Sequence, residues 1–176
     1  MIAKFLRANF GSATRYVLDR DPDLRHAGAH TLDTNMVGRD APELTQEFQM
    51  VAAGNPRVQH QVAHIVLRPA PEDRQLDQRE WTQIARGYLD RMGYTNTPYL
   101  VVRHPEPGQH VHVVASRVRY DGSRVNDHRE HDHSRKVVRE IERSHELRRT
   151  QPREHEREEP AHERFTGRGW ERERER

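Results

Sequence analysis

The stretch that decides the fold is Leu100-Val101-Val102-Arg103-His104-Pro105-Glu106-Pro107-Gly108-Gln109-His110-Val111-His112-Val113-Val114. Two Val-rich runs flank five residues rich in Pro and Gly, the composition of a hairpin connection between strands Pro98–His104 and His110–Tyr120. Strand side chains alternate between faces, so His110 and His112 leave the same face of the sheet. If the loop closes a regular hairpin, His104 lies opposite His110 and shares that face. The three imidazoles then converge at roughly 5–7 Å between Cβ atoms. Three ring nitrogens at such a spacing can meet one cation at about 2.0–2.2 Å.

The pattern on either side completes an outline. Ser12 to Arg20 reads as a first helix, with Ala13, Tyr16 and Val17 at helical spacing and Asp21-Pro22-Asp23 after it. Ala29 to Val37 is polar and extended. Asp40-Ala41-Pro42-Glu43 reads as the start of a helix running to about Ala53. Val58 to Leu67 has strand character. Asp77 to Met92 is the clearest helix, with Glu80 completing a capping box and Gly93 past its end. A last helix spans about Ser134 to Leu147, with Val137, Val138 and Ile141 inward. The hairpin implies antiparallel pairing. The expected fold is α+β: an antiparallel sheet of about five strands with helices packed mainly on one face.

Composition bounds the rest. Charged residues make up 33% of the 176 and hydrophobic residues 32%, a polar balance concentrated in one segment. Gln151 to Arg176 holds eight Glu, seven Arg and two His. Such a segment buries too little surface to offset the entropy of ordering it. It is expected to be a charged tail, disordered or transiently helical, behind a domain of residues 1–149. That tail nets −1 and the first 150 residues +3, and nearly every cation is Arg, with only Lys4 and Lys136 as lysines. Arginine binds phosphate through paired hydrogen bonds, which favours a nucleic-acid partner; a genome biased toward Arg codons explains the count equally well. The absence of cysteine excludes disulfides and thiolate metal sites. No apolar run reaches about 18 residues and Met1-Ile2-Ala3-Lys4-Phe5 lacks a signal's apolar core, so a cytoplasmic protein with no membrane partner is expected.

A metal held by three histidines keeps open positions for water and phosphate oxygens and can act as a Lewis acid on a phosphodiester. Glu106 is either an outer-shell partner that orients a ligand imidazole or a solubilising loop residue. A chance His-x-His pair among 13 histidines is the competing explanation of the motif. The second cluster, His128, His131 and His133, has no strand to organise it and reads as a polar loop before the last helix.

The segment His104 to Arg117 resembles the third motif of plasmid relaxases of the mobilisation (MobA/VirD) type, members of the His-hydrophobe-His endonucleases. The pattern there is a His, an acidic residue two positions on, His-x-His, a Val/Ile run and Asn-Arg; here it is His104, Glu106, His110, His112, Val113, Val114 and Ser116-Arg117. The likeness covers about Met1 to Arg149. It implies a metal-dependent, site-specific single-strand endonuclease that nicks plasmid DNA at a transfer origin and initiates conjugative mobilisation. It implies a nucleophile on the first helix, Tyr16, which leaves a 5′-phosphotyrosine link, with Glu106 assisting. It implies a divalent ion on His104, His110 and His112. Mg2+ and Mn2+ suit phosphate chemistry, whereas three imidazoles suit later transition metals. DNA contacts are expected from Arg15, Arg68, Arg117 and Arg119, and accessory relaxosome proteins and a coupling protein are the implied partners.

The sequence departs from the pattern in places. The loop between His104 and His110 is short and carries two prolines, Arg68-Pro69 stands where relaxases often carry Ser, and Ser116 replaces the Asn. The chain also lacks a long C-terminal helicase, primase or docking region, as expected of either a minimal relaxase or a fragment. Two other readings stay open: a DNA-binding remnant without catalysis, and an unrelated three-histidine metal protein.

Overall fold

The computed structural model describes residues 1–18, 29–104 and 108–150. The charged tail, from 151 on, lies outside the described residues, as does Glu106.

The elements run β1 (Ile2–Leu6), α1 (Phe10–Leu18), β2 (His30–Thr34), α2 (Ala41–Ala52), β3 (Val62–Arg68), α3 (Gln78–Arg91), β4 (Tyr99–His104), β5 (His110–Ser116) and α4 (Glu130–Ser144). The strands form one sheet in the order β1-β3-β5-β4-β2, and each neighbouring pair is antiparallel. The expected α+β fold with a five-stranded antiparallel sheet is therefore present.

One expectation needs correction: the helices do not gather on one face. Val111, Val113, Ala115, Ile65 and Leu67 share a core with Trp81, Ile84 and Tyr88 of α3 and Val137 and Ile141 of α4. On the other face, Leu100, Val102 and Val114 pack with Phe10, Ala13 and Val17 of α1 and Leu44 and Phe48 of α2. The reason is visible in β5. Every one of its residues is buried, with Val111, Val113 and Ala115 on one face and His110, His112 and Val114 on the other, so both faces of the strand are covered.

Local chemistry fixes the helix ends. Asn9 Oδ1 accepts from Ser12 N (2.8 Å) and Ser12 Oγ accepts from Asn9 N (3.1 Å), so α1 begins earlier than its hydroxyl suggests. Asp40 caps α2 by accepting from Glu43 N. Asp77 and Glu80 form the expected capping box of α3, and Gly93 follows it at φ +82°, a conformation that favours glycine. The last helix starts at Glu130, one turn before the expected Ser134, and so takes His131 and His133 out of the presumed loop. His131 packs edge-on against Phe5 of β1.

Candidate metal centre

The register of the hairpin builds the centre. His104 pairs with His110, Arg103 with Val111 and Val102 with His112. His104, His110 and His112 thus stand on one face, on the two strands nearest the middle of the sheet, and all three are buried, His104 at 0% exposure. Their candidate ligand atoms lie within 4.8 Å of one another. Among the described residues this is the group of His, Asp and Glu side chains that could hold a cation.

The hydrogen bonds decide which nitrogens bear lone pairs. His104 Nε2 lies 2.9 Å from Val17 O. A carbonyl only accepts, so Nε2 carries the proton and Nδ1 the lone pair. By the same rule His110 Nδ1 donates to Gly108 O at 2.9 Å, which puts its lone pair on Nε2. A ligand imidazole whose second nitrogen is held by a carbonyl is the usual arrangement around protein-bound metals. The donor set and these tautomers fit a divalent cation. Val17 belongs to α1, so this bond ties the helix to a candidate ligand.

The face of α1 then places Tyr16. Ala13, Thr14 and Val17 are buried against the sheet and α2, and Thr14 Oγ1 meets Thr45 Oγ1 at 2.6 Å. Tyr16 falls beside this stripe, 45% exposed. Its ring centroid is 5.5 Å from that of His112, 5.9 Å from His64 and 6.5 Å from His104. A residue that sequence alone cannot tell from a core aromatic therefore stands over the histidines with one side open to solvent.

His64 on β3 completes the cluster, and sequence reasoning missed it. It is 3% exposed, and its Nε2 lies 2.9 Å from His112 Nδ1. Burial, with a smaller contribution from the charge of His104, pushes its pKa down to about 4, so the ring is neutral at physiological pH. The available signal was a single polar residue within Ala63-His64-Ile65-Val66-Leu67.

The expected arginines separate into two groups. Arg15 is exposed next to Tyr16, its Nε bonded to Gly11 O. Arg68 is exposed and closes β3 at the same end of the sheet at which His110 opens β5. Arg117 and Arg119 follow β5 at its far end, roughly 20 Å along the strand from His110. Both guanidinium groups are engaged within the protein. The Arg117 side chain is 8% exposed and donates to Glu130, to His60 O and to Val62 O. Arg119 donates to the carbonyls of Thr95, Gly93 and Arg124 and so ties the loop between α3 and β4 to the segment that follows β5. Ser116 is fully buried, and its Oγ accepts from Val118 N; it ends β5 and does not reach the centre.

Fold and centre together define an antiparallel-sheet protein with a His-x-His pair, a third histidine and a tyrosine on one face. The relaxase family model, MobA/VirD2-like nuclease domain, matches residues 16–147, and the chain belongs to the relaxase family. Comparison with curated proteins finds no match. Among the described residues no helix is long and apolar enough to cross a membrane.

Proposed function

We propose that residues 1–149 form a nuclease domain that nicks one strand of plasmid DNA at a transfer origin, by transesterification onto Tyr16, and so initiates conjugative mobilisation. The observation that carries this reading is the seating of Tyr16 against His112 and His104, at ring-centroid separations of 5.5 and 6.5 Å, with one side open to solvent. A nucleophile must be near the electrophilic centre and also reachable by a DNA strand.

In the step, Tyr16 Oη attacks the phosphorus and the P–O3′ bond breaks. The products are a 5′-phosphotyrosine link and a free 3′-hydroxyl, which takes the proton the phenol gives up. The bond count is conserved, so the 3′-hydroxyl can reverse the step without ATP. A phenol has a pKa near about 10 and attacks poorly at neutral pH without assistance. A divalent ion on His104, His110 and His112, Mg2+ or Mn2+, would supply charge to polarise the scissile phosphate. The protein's own part is orientation. The three rings are fixed by strand pairing, His104 and His110 also by carbonyls and His112 by His64, and α1 meets His104 through Val17 O. Arg15 and Arg68 flank the centre as phosphate-binding cations. Accessory relaxosome proteins and a coupling protein would act around this core.

The test is incubation with supercoiled plasmid carrying the cognate origin and a divalent metal, followed by detergent and protease. The expected result is a nicked circle with protein covalently attached at the 5′ end, absent for Tyr16→Phe while DNA binding persists. An undiminished adduct in Tyr16→Phe would refute the assignment.

A further inference from the structure

We propose that His64 is a positioning residue that fixes the tautomer of His112, so that His112 presents Nε2 to the metal. This rests on the assignment of His104, His110 and His112 as ligands and adds a residue to which that assignment gives no role.

The argument begins with burial. An imidazole placed inside the apolar strand Val62 to Leu67 is costly unless its nitrogens are hydrogen-bonded. β3 pairs with β5 with Val66 opposite His112 and His64 opposite Val114. Alternation therefore puts His64 on the ligand face, one diagonal step from His112. The two rings face each other through His64 Nε2 and His112 Nδ1 at 2.9 Å, and His64 is 3% exposed.

At 2.9 Å the two facing nitrogens share one hydrogen, and its location has a consequence. If His112 Nδ1 donates and His64 Nε2 accepts, His112 Nε2 keeps the lone pair a metal needs. In the reverse arrangement His112 Nε2 bears a hydrogen and points it at the cation. His104 and His110 have their tautomers set by carbonyls, Val17 O and Gly108 O. His112 has a ring in that place, and a ring can either donate or accept. The choice belongs to His64, which must hold its own proton on Nδ1. The Tyr16 ring lies edge-on to both partners, 5.9 Å from His64 and 5.5 Å from His112. The same pair thus also forms the wall on which Tyr16 rests.

Two measurements test this on the full chain. The first reads the metal-free wild-type protein: long-range proton–nitrogen correlation spectra of the imidazoles, with His112→Ala used only to assign the signals, show which His112 nitrogen carries hydrogen. Hydrogen on Nδ1 is expected, and hydrogen on Nε2 overturns the proposal. The second is Mn2+ affinity by calorimetry. His64→Leu, which fills the space without an acceptor, should bind about 10–100-fold more weakly than wild type. His64→Gln, whose side-chain carbonyl reaches the same position as an acceptor, should recover most of the loss. Both variants are checked for folding by circular dichroism. A folded His64→Leu with wild-type affinity overturns the proposal, as does a Gln variant no better than Leu. If wild-type protein binds no divalent ion, the ligand assignment itself fails, an outcome distinct from Leu and wild type binding equally well.

Discussion

Replacing Arg117 by alanine separates a structural arginine from a DNA-binding one. The guanidinium makes two bonds to Glu130, at 2.8 and 2.9 Å, and one each to Val62 O (2.6 Å) and His60 O (3.2 Å). Asp127 adds a longer ionic contact at 3.8 Å. Removing one partner of a buried pair costs about 3–5 kcal/mol, because the other charge stays desolvated. Glu130 is 18% exposed and can partly rehydrate, which trims the expected loss to about 2–4 kcal/mol. For a domain of this size, each kcal/mol lowers Tm by about 2–4 °C, so Tm should fall by roughly 5–15 °C in a thermal melt followed by circular dichroism. DNA binding, measured as affinity against salt at a temperature where both proteins are folded, should keep its slope. Arg68→Ala is the converse: Arg68 is exposed, so Tm should hold within about 2 °C while the slope falls by about 0.7–0.9. An Arg117→Ala protein with unchanged Tm and a shallower salt slope would refute the reasoning and return Arg117 to the DNA.

Phe48 is fully buried and stacks on Phe10 at 4.8 Å, so Phe48→Ala should cost about 3–5 kcal/mol and lower the urea midpoint without changing the m-value. Arg74, assisted by the backbone at Asp77, holds the Glu80 carboxyl down at about 2, and Arg86 likewise lowers that of Asp33. Both folded-state values lie below the unfolded ones, so this stabilisation is complete above about pH 4.5 and is lost as pH falls toward 2. Urea midpoints between pH 7 and 2 should drop less steeply for Glu80→Gln than for wild type. His110→Ala should weaken Mn2+ binding in calorimetry more than His64→Leu does, since it removes a ligand and not its support.

How far the sequence carried depended on how local the determining contacts were. The hairpin, the capping box of α3 and the α2 start at Asp40 are written in residues a few positions apart, and their boundaries follow. β1 was not legible. Ile2–Leu6 is short and half-exposed, lies at the sheet edge, and is a strand only because Lys4 pairs with Val66 and Phe5 with Ile65. The division of helices between two faces was hinted at by the adjacent pair Val113-Val114, which point to opposite faces, but needed the strand order to be read. Arg117 shows a long-range pairing that local pattern does not reveal. Its type and motif position suggested phosphate, yet its partner Glu130 begins a helix whose start was placed a turn too late. The proximity of Tyr16 to His112 depends on how α1 docks on the sheet, which no local pattern encodes; only the family resemblance singled that tyrosine out.

The short loop was the departure that most threatened the centre, and the register shows why it does little harm. In an antiparallel hairpin, paired residues have a constant sum of positions, so once Val102 faces His112, His104 must face His110. The loop has only to let the strands reach that pairing, and Gly108 at φ +68° supplies a left-handed turn position beside it. A longer loop over the same register would leave the three rings where they are, because strand alternation and not loop length chooses their face. What would move them is a slip of one residue. That would turn His110 and His112 toward the Trp81 core and bring Val111 and Val113 to the ligand face. Such a slip would bury two imidazoles without their partners and set two valines among the polar groups that remain on the ligand face. β5, buried on both faces, strongly opposes it. The histidine spacing is therefore protected by the hydrophobic pattern of the strand that carries it, and the length of the loop can vary without moving the rings.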